Sequence, residues 1–145
     1  INSANIGYKT MKNYKNLDFV VINQREIQHE LRDKHSKVEI LMKKLATDLK
    51  IKNLVVTRGV DGAILYNSYQ KKFNYSDAFT KNTIDKIGAG DSMPSIISMF
   101  LKTNCSNDLS LLAGSLAATQ STQTLANKEV VNKINLIKGL EHILK

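Results

Sequence analysis

Thr83-Ile84-Asp85-Lys86-Ile87-Gly88-Ala89-Gly90-Asp91-Ser92 is followed by Met93, Ile96, Ile97, Phe100 and Leu101 at helical spacing, so its glycines open a helix. The first amide N–H groups of a helix have no intrahelical partner, and the macrodipole adds partial positive charge there. A phosphate or a developing oxyanion in front of Gly88, Ala89 and Gly90 would be stabilised. Asp91 stands beside that anion as a candidate base. Taken alone, the turn could equally be a tight packing turn with Asp91 an ordinary first-turn acid.

Upstream of this turn, short apolar runs alternate with helical patterns. Residues 4–14 carry a mixed helical pattern, and 17–22 form an apolar run suited to a buried parallel strand that ends at Asn23. Residues 24–32 read as a short helix. Ser36-Lys37-Val38-Glu39 reads as a capping box, opening a helix whose apolar face is Val38, Leu41, Met42, Leu45 and Leu49 and which runs to about Lys50. Strands are expected at 54–57 and 63–66 around a two-glycine turn at 58–62, with extended pieces at 72–75 and 78–83. Downstream come three helices, at 90–102, 108–125 and 132–144, the last with Asn132 as N-cap. Strands alternating with helices, then helices alone, imply an α/β layer architecture with a mostly parallel sheet.

A chain of 145 residues fits one domain, large enough to bury a core without disulfides. The net charge of +8 comes from 21 Lys and Arg against 13 Asp and Glu. These lysines are spread along the sequence, which favours a solvated surface over a dedicated nucleic-acid site, and an anionic small substrate would profit from the same field. Cys105 is the only cysteine and reads as a packing residue; no internal disulfide can form, and a reducing cytoplasm fits best. No apolar run approaches the roughly 18 to 20 residues of a membrane span, and no signal peptide opens the sequence. Ile1 rather than Met at the start reads as a fragment or a domain cut from a longer chain.

Ligand sites in α/β sheets lie beyond the carboxyl ends of the strands, and Asn23, residues 57–59 and residues 88–91 all fall at or just past such ends. Phosphoryl transfer needs a place for the charge on the moving phosphate, a metal, and a group that takes the acceptor hydroxyl proton. The glycine turn supplies the first and Asp91 the last; in a loose transition state that proton need move only late. Asn23 and Glu26, three apart across a strand-to-helix junction, can share one water or metal shell, with Mg²⁺ and its retained waters as the candidate ion. Alone, they would more often be a strand cap and a surface acid. The dinucleotide fingerprint G-x-G-x-x-G is absent because Met93 stands where its third glycine would be, and no Walker A lysine pattern occurs.

Ile84-Asp85-Lys86-Ile87-Gly88-Ala89-Gly90-Asp91 resembles the D-T-x-G-A-G-D signature of the ribokinase-like (PfkB) carbohydrate kinases. Asn23-Gln24-Arg25-Glu26 is similar to that family's N-x-x-E, and Thr57-Arg58-Gly59-Val60-Asp61-Gly62-Ala63 to its T-x-G-x-x-G-A nucleotide turn, in the same order along the chain. The opening Asn2-Ser3-Ala4-Asn5-Ile6-Gly7-Tyr8 and the Gly-Ala-Gly-Asp-Ser-Met ending resemble most the branch that phosphorylates heptose 7-phosphate.

The resemblance implies a three-layer ribokinase-like sandwich, of which residues 1–145 form a single-domain fragment carrying the ATP-binding and catalytic C-terminal half. It implies ATP-dependent phosphorylation of a sugar or sugar-phosphate hydroxyl, with Asp91 as base and Gly88, Ala89 and Gly90 as anion hole. Asn23 and Glu26 would hold the Mg²⁺ and phosphate water shell, Thr57, Gly59 and Gly62 would line the ATP site, and Asp85 with Ile87 would offer oxygens to a monovalent cation such as K⁺. The expected partners are ATP, the sugar, and either further copies of the chain or a missing N-terminal half. The alternative is a non-catalytic nucleotide-binding or interaction module left from such a kinase. Three departures from the family pattern stand out. Lys86 and Ile87 replace a threonine-rich pair, Met93 replaces Phe, and Pro94 lies past the first helical turn, where it should kink the helix or shift its start.

Overall fold

The computed structural model describes residues 11–79, 89–122 and 131–145. Of the expected elements, residues 4–10, 80–83 and 123–125 lie outside these. The described residues pack as two compact units, one of 11–58 with 63–74 and one of 59–62 with 75–79, 89–122 and 131–145.

In the first unit, a 3₁₀ turn at Met11–Asn13 precedes strand β1 (Phe19–Asn23), which passes directly into helix α1 (Gln24–Glu30). Helix α2 (Val38–Leu49) follows, then strands β2 (Asn53–Thr57) and β3 (Ala63–Asn67) and the start of β4 (Lys72–Ser76), whose last two residues belong to the second unit. The strand order is β1-β2-β3-β4. β1 and β2 run parallel, with Asn23 opposite Thr57, whereas β2 and β3 run antiparallel, with Asn53 opposite Asn67. The expected α/β class holds, and the described sheet is mixed. The reason is the short connection at 58–62, which can only reverse the chain; a parallel partner needs a crossover of a dozen or more residues.

Alternation along the strands divides the apolar residues between two faces. Val20, Ile22, Leu54, Val56 and Ile64 join Ile27 of α1 and Leu41, Met42, Leu45 and Leu49 of α2 in one core. Val21, Val55 and Leu65 point the other way and are also buried, so the strands read as continuous apolar runs. Phe73 stacks on Tyr66 with ring centroids 4.5 Å apart, extending the core to β4.

The expected capping box at Ser36 does not form. α2 begins after Lys37, which makes no side-chain cap bond, while the backbone N–H groups of His35 and Ser36 both donate to Asp33 Oδ1 at 3.0 Å. That aspartate turn ties Ser36 down one residue before the N-cap position. The other end of α2 closes as expected: Lys50 adopts the left-handed conformation (φ 53°) and Ile51 N–H returns to the Ala46 carbonyl at 2.9 Å.

The second unit holds helices α3 (Ala89–Lys102), α4 (Asn107–Thr122) and α5 (Lys133–Ile143). α4 approaches α3 closely because it offers small residues there. A Cβ on Gly114 would overlap Ile97 Cγ1 and lie 2.7 Å from Ile97 Cδ1. Asn132 caps α5 as its sequence predicts, accepting from Ile134 N–H at 2.9 Å. Pro94 lies inside α3, which runs from Ala89 to Lys102.

Candidate functional site

The carboxyl edge of the parallel pair is where the first set of expected site residues meets. Asn23 is the last residue of β1 and the N-cap of α1, held extended (φ −87°, ψ 163°), and its register partner is the half-buried Thr57 at the end of β2. Asn23 Oδ1 accepts from Glu26 N–H at 2.9 Å and Asn23 N–H donates to Glu26 Oε2 at 2.9 Å, a reciprocal capping box. Buried Ile27, next in sequence, fixes the first turn of α1 to the core. The sequence carried the signal for this box, an N-cap residue three before a glutamate, but the pair reads there as a shared ligand shell.

One oxygen of each side chain accepts from a backbone N–H; Glu26 Oε1 and the Asn23 amide NH₂ take no part in the box, and Glu26 Oε2 and Asn23 Oδ1 each keep a second lone pair. No three His, Cys, Asp or Glu residues gather in a metal-binding group among the described residues.

The turn from β2 to β3 passes through a 3₁₀ segment, Gly59–Asp61, closed by Gly62 N–H donating to the Gly59 carbonyl at 3.1 Å. Both glycines have positive φ, 63° at Gly59 and 79° at Gly62. Their surroundings differ. A Cβ on Gly59 would meet open space, whereas one on Gly62 would fall on the Ser76 carbonyl and 2.9 Å from the Asp77 backbone. Gly59 therefore leaves room over the turn, and Gly62 is required by packing.

Ala89 and Gly90 are the first residues of α3, and Asp91 is exposed in its first turn. Ser95 Oγ donates to the Asp91 carbonyl at 2.8 Å in the turn where Pro94, lacking an N–H, gives the Gly90 carbonyl no i+4 donor. Gly88, Asp85 and Ile87 lie outside the described residues. Asn23, Glu26 and Thr57 are thus brought together in the first unit, while Gly59, Gly62, Ala89, Gly90 and Asp91 belong to the second. A separate open hollow lined by Gln28, His29, Arg32, Asp33, Lys34 and His35 sits at the other end of α1 from Asn23.

The sheet and its covering helices are those of an α/β chain, and the fold is ribokinase-like. Ribokinase from Thermotoga maritima superposes with a TM-score of 0.81 at 20% identity, over 97% of this chain and 48% of that one. Phosphofructokinase-2 from Escherichia coli, solved in complex with potassium, gives 0.77 at 19% identity, over 90% of this chain and 42% of the other. The chain belongs to the pfkB family of carbohydrate kinases, whose family model matches residues 7–131. Among curated proteins, an uncharacterized sugar kinase of Buchnera aphidicola subsp. Schizaphis graminum is 26% identical over 132 residues. That match covers 89% of this chain and 42% of the relative, so the chain spans less than half of the relative's length.

Proposed function

We propose that this chain supplies the ATP-binding and catalytic half of a sugar or sugar-phosphate kinase. The observation that carries the reading is the Asn23–Glu26 box opposite Thr57 at the carboxyl edge of the sheet, inside a segment matched by the carbohydrate kinase family. In this reading Asp91 takes the proton of the attacking hydroxyl, and the N–H groups at Gly88, Ala89 and Gly90 neutralise the charge that grows on the transferred phosphoryl group. Glu26 and Asn23 orient water around the phosphates, Thr57 and Gly59 line the nucleotide, and Gly62 holds the turn that carries Gly59. Mg²⁺, when bound with ATP, would supply charge neutralisation, and Glu26 and Asn23 are the residues that would hold its water shell. Asp85 and Ile87 are assigned to a monovalent cation, in line with the potassium complex of the bacterial phosphofructokinase-2. The heptose 7-phosphate branch remains our choice of substrate class on the strength of residues 2–8 and 88–93. The compartment assigned is the cytoplasm; no helix among the described residues is long and apolar enough to cross a membrane.

The test is turnover by the complete kinase, this chain with whatever chain completes it, on a panel of ribose, fructose 6-phosphate and heptose 7-phosphate. Asp91→Asn should lower kcat by about 100-fold or more with little change in the KM for ATP. A fall of less than tenfold would remove Asp91 from the role of base. The alternative reading is a nucleotide-binding module without turnover. Calorimetry of the chain with ATP and Mg²⁺ decides it, since binding without turnover under any pairing supports the module and no binding eliminates it.

A further inference from the structure

At the edge of the sheet opposite Asn23 and Thr57, folding collects lysines that are scattered in the sequence. Three connections meet there and are joined through their backbones. Asn16 N–H donates to the Leu49 carbonyl at 3.0 Å, Lys52 N–H to the Leu17 carbonyl at 2.9 Å, and Ser68 N–H to the Lys52 carbonyl at 2.9 Å. Residues 12–18, 48–52 and 68–72 together carry six lysines against Asp18 and Asp48. Lys15, Lys50, Lys52 and Lys71 are exposed. Two tyrosines stand among them, Tyr14 at 42% and Tyr69 at 77% exposure, and Lys52 Nζ lies 5.6 Å from the centre of the Tyr69 ring.

The backbone adds a second observation. Lys50 and Lys71 both hold positive φ, 53° and 52°, in the left-handed region where glycine is favoured and a long side chain is not. Neither position gains fold stability from being lysine.

We propose that this amino edge of the sheet binds single-stranded nucleic acid. The lysines would track the phosphates, and exposed phenol rings interleaved with them are the element a base can stack on; a surface for an acidic protein or an anionic membrane has no use for stacking. The site is independent of the nucleotide edge and of the kinase reading.

The probe is a short, labelled oligouridylate followed by fluorescence anisotropy with the chain as it stands. Saturable binding is expected, with a log–log salt slope of about −2 to −3, the value for three or four phosphates at roughly −0.7 each. Lys50→Gly and Lys71→Gly should each weaken binding severalfold while the melting temperature holds or rises, so lost binding cannot be lost folding. Tyr69→Ala should weaken oligouridylate binding about tenfold and leave binding of heparin, a polyanion without bases, unchanged. Absence of saturable binding at low salt overturns the proposal. So does equal loss of heparin binding in Tyr69→Ala, insensitivity of oligouridylate binding to that variant, or preference for phosphatidylserine vesicles over the oligonucleotide.

Discussion

Gly62 is the residue whose replacement should disturb the turn between β2 and β3 most. At φ 79° an alanine is strained, and its Cβ would fall on the Ser76 carbonyl, a backbone atom that cannot swing away. Gly62→Ala should destabilise the protein by about 2–4 kcal/mol, adding backbone strain to overpacking. Gly59→Ala, with open space around its Cβ, should cost about 1 kcal/mol. Urea unfolding of the two variants checks the order, and equal losses would mean that conformation alone sets the requirement. Asp33 offers a pH test. The Ser36 hydroxyl and the backbone N–H groups of Ser36 and His35 hold its carboxyl at about 2, below its ordinary 3.8. A depressed folded value means that the contribution is complete above about 3.8 and is lost as pH falls toward 2. The carboxyl resonance of Asp33 should therefore titrate near 2, and Asp33→Asn should not. Both glycines of the turn were legible in the sequence as glycines between strands. The buried Asn53–Asn67 pair, joined at 2.9 Å, was not, because which polar residue turns inward depends on a register that only the partner strand sets.

Helices show the same division between local and tertiary causes. The apolar face of α2, the Asn132 cap of α5 and the start of α3 at the glycine turn are local properties, and all three were legible. The cap of α2 was not: Ser36 and Glu39 fit the box pattern, but Asp33 competes for Ser36 from outside the window in which the pattern is read. The box formed at Asn23 and Glu26 instead, where both residues also carry the proposed water shell, and substitution can separate the two roles. Glutamine still accepts at N3, so Glu26→Gln should hold stability within about 0.5 kcal/mol, while Asn23→Ala should lose about 1 kcal/mol. Turnover should fall with both. A Glu26→Gln variant with unchanged stability and unchanged turnover would leave Glu26 a cap and nothing more. For α3, Pro94 denies the helix one backbone bond in its interior, so Pro94→Ala should raise stability by roughly 1–3 kcal/mol in the same urea assay. A loss would show that the proline sets a helix path that packing requires.

For the whole chain, the alternation of apolar runs was enough to give the α/β class, but the strand directions had to be inferred from connection lengths. The expectation of a mostly parallel sheet does not single out the antiparallel pair β2–β3, which the short 58–62 turn requires because a crossover needs a dozen or more residues. What no local pattern could give is which apolar residues stay uncovered after folding. On α5, Leu136 is buried and Gly139 faces Leu116 of α4, while Ile134 (63% exposed), Ile137 (43%) and the following Leu144 (66%) share another face of the helix. Apolar side chains grouped in this way favour association, and we expect the chain to self-associate through this face. Sedimentation equilibrium should give a weight-average mass above the 16.2 kDa of one chain, rising with concentration. Ile134→Glu combined with Ile137→Glu should return it to that of a single chain. Because both side chains are already exposed, the double variant should keep its stability within about 0.5 kcal/mol, so a change in mass would report the surface and not the fold. Wild-type protein that stays monomeric at every concentration would refute the expectation. A double variant that still associates would move the contact to another surface of the chain.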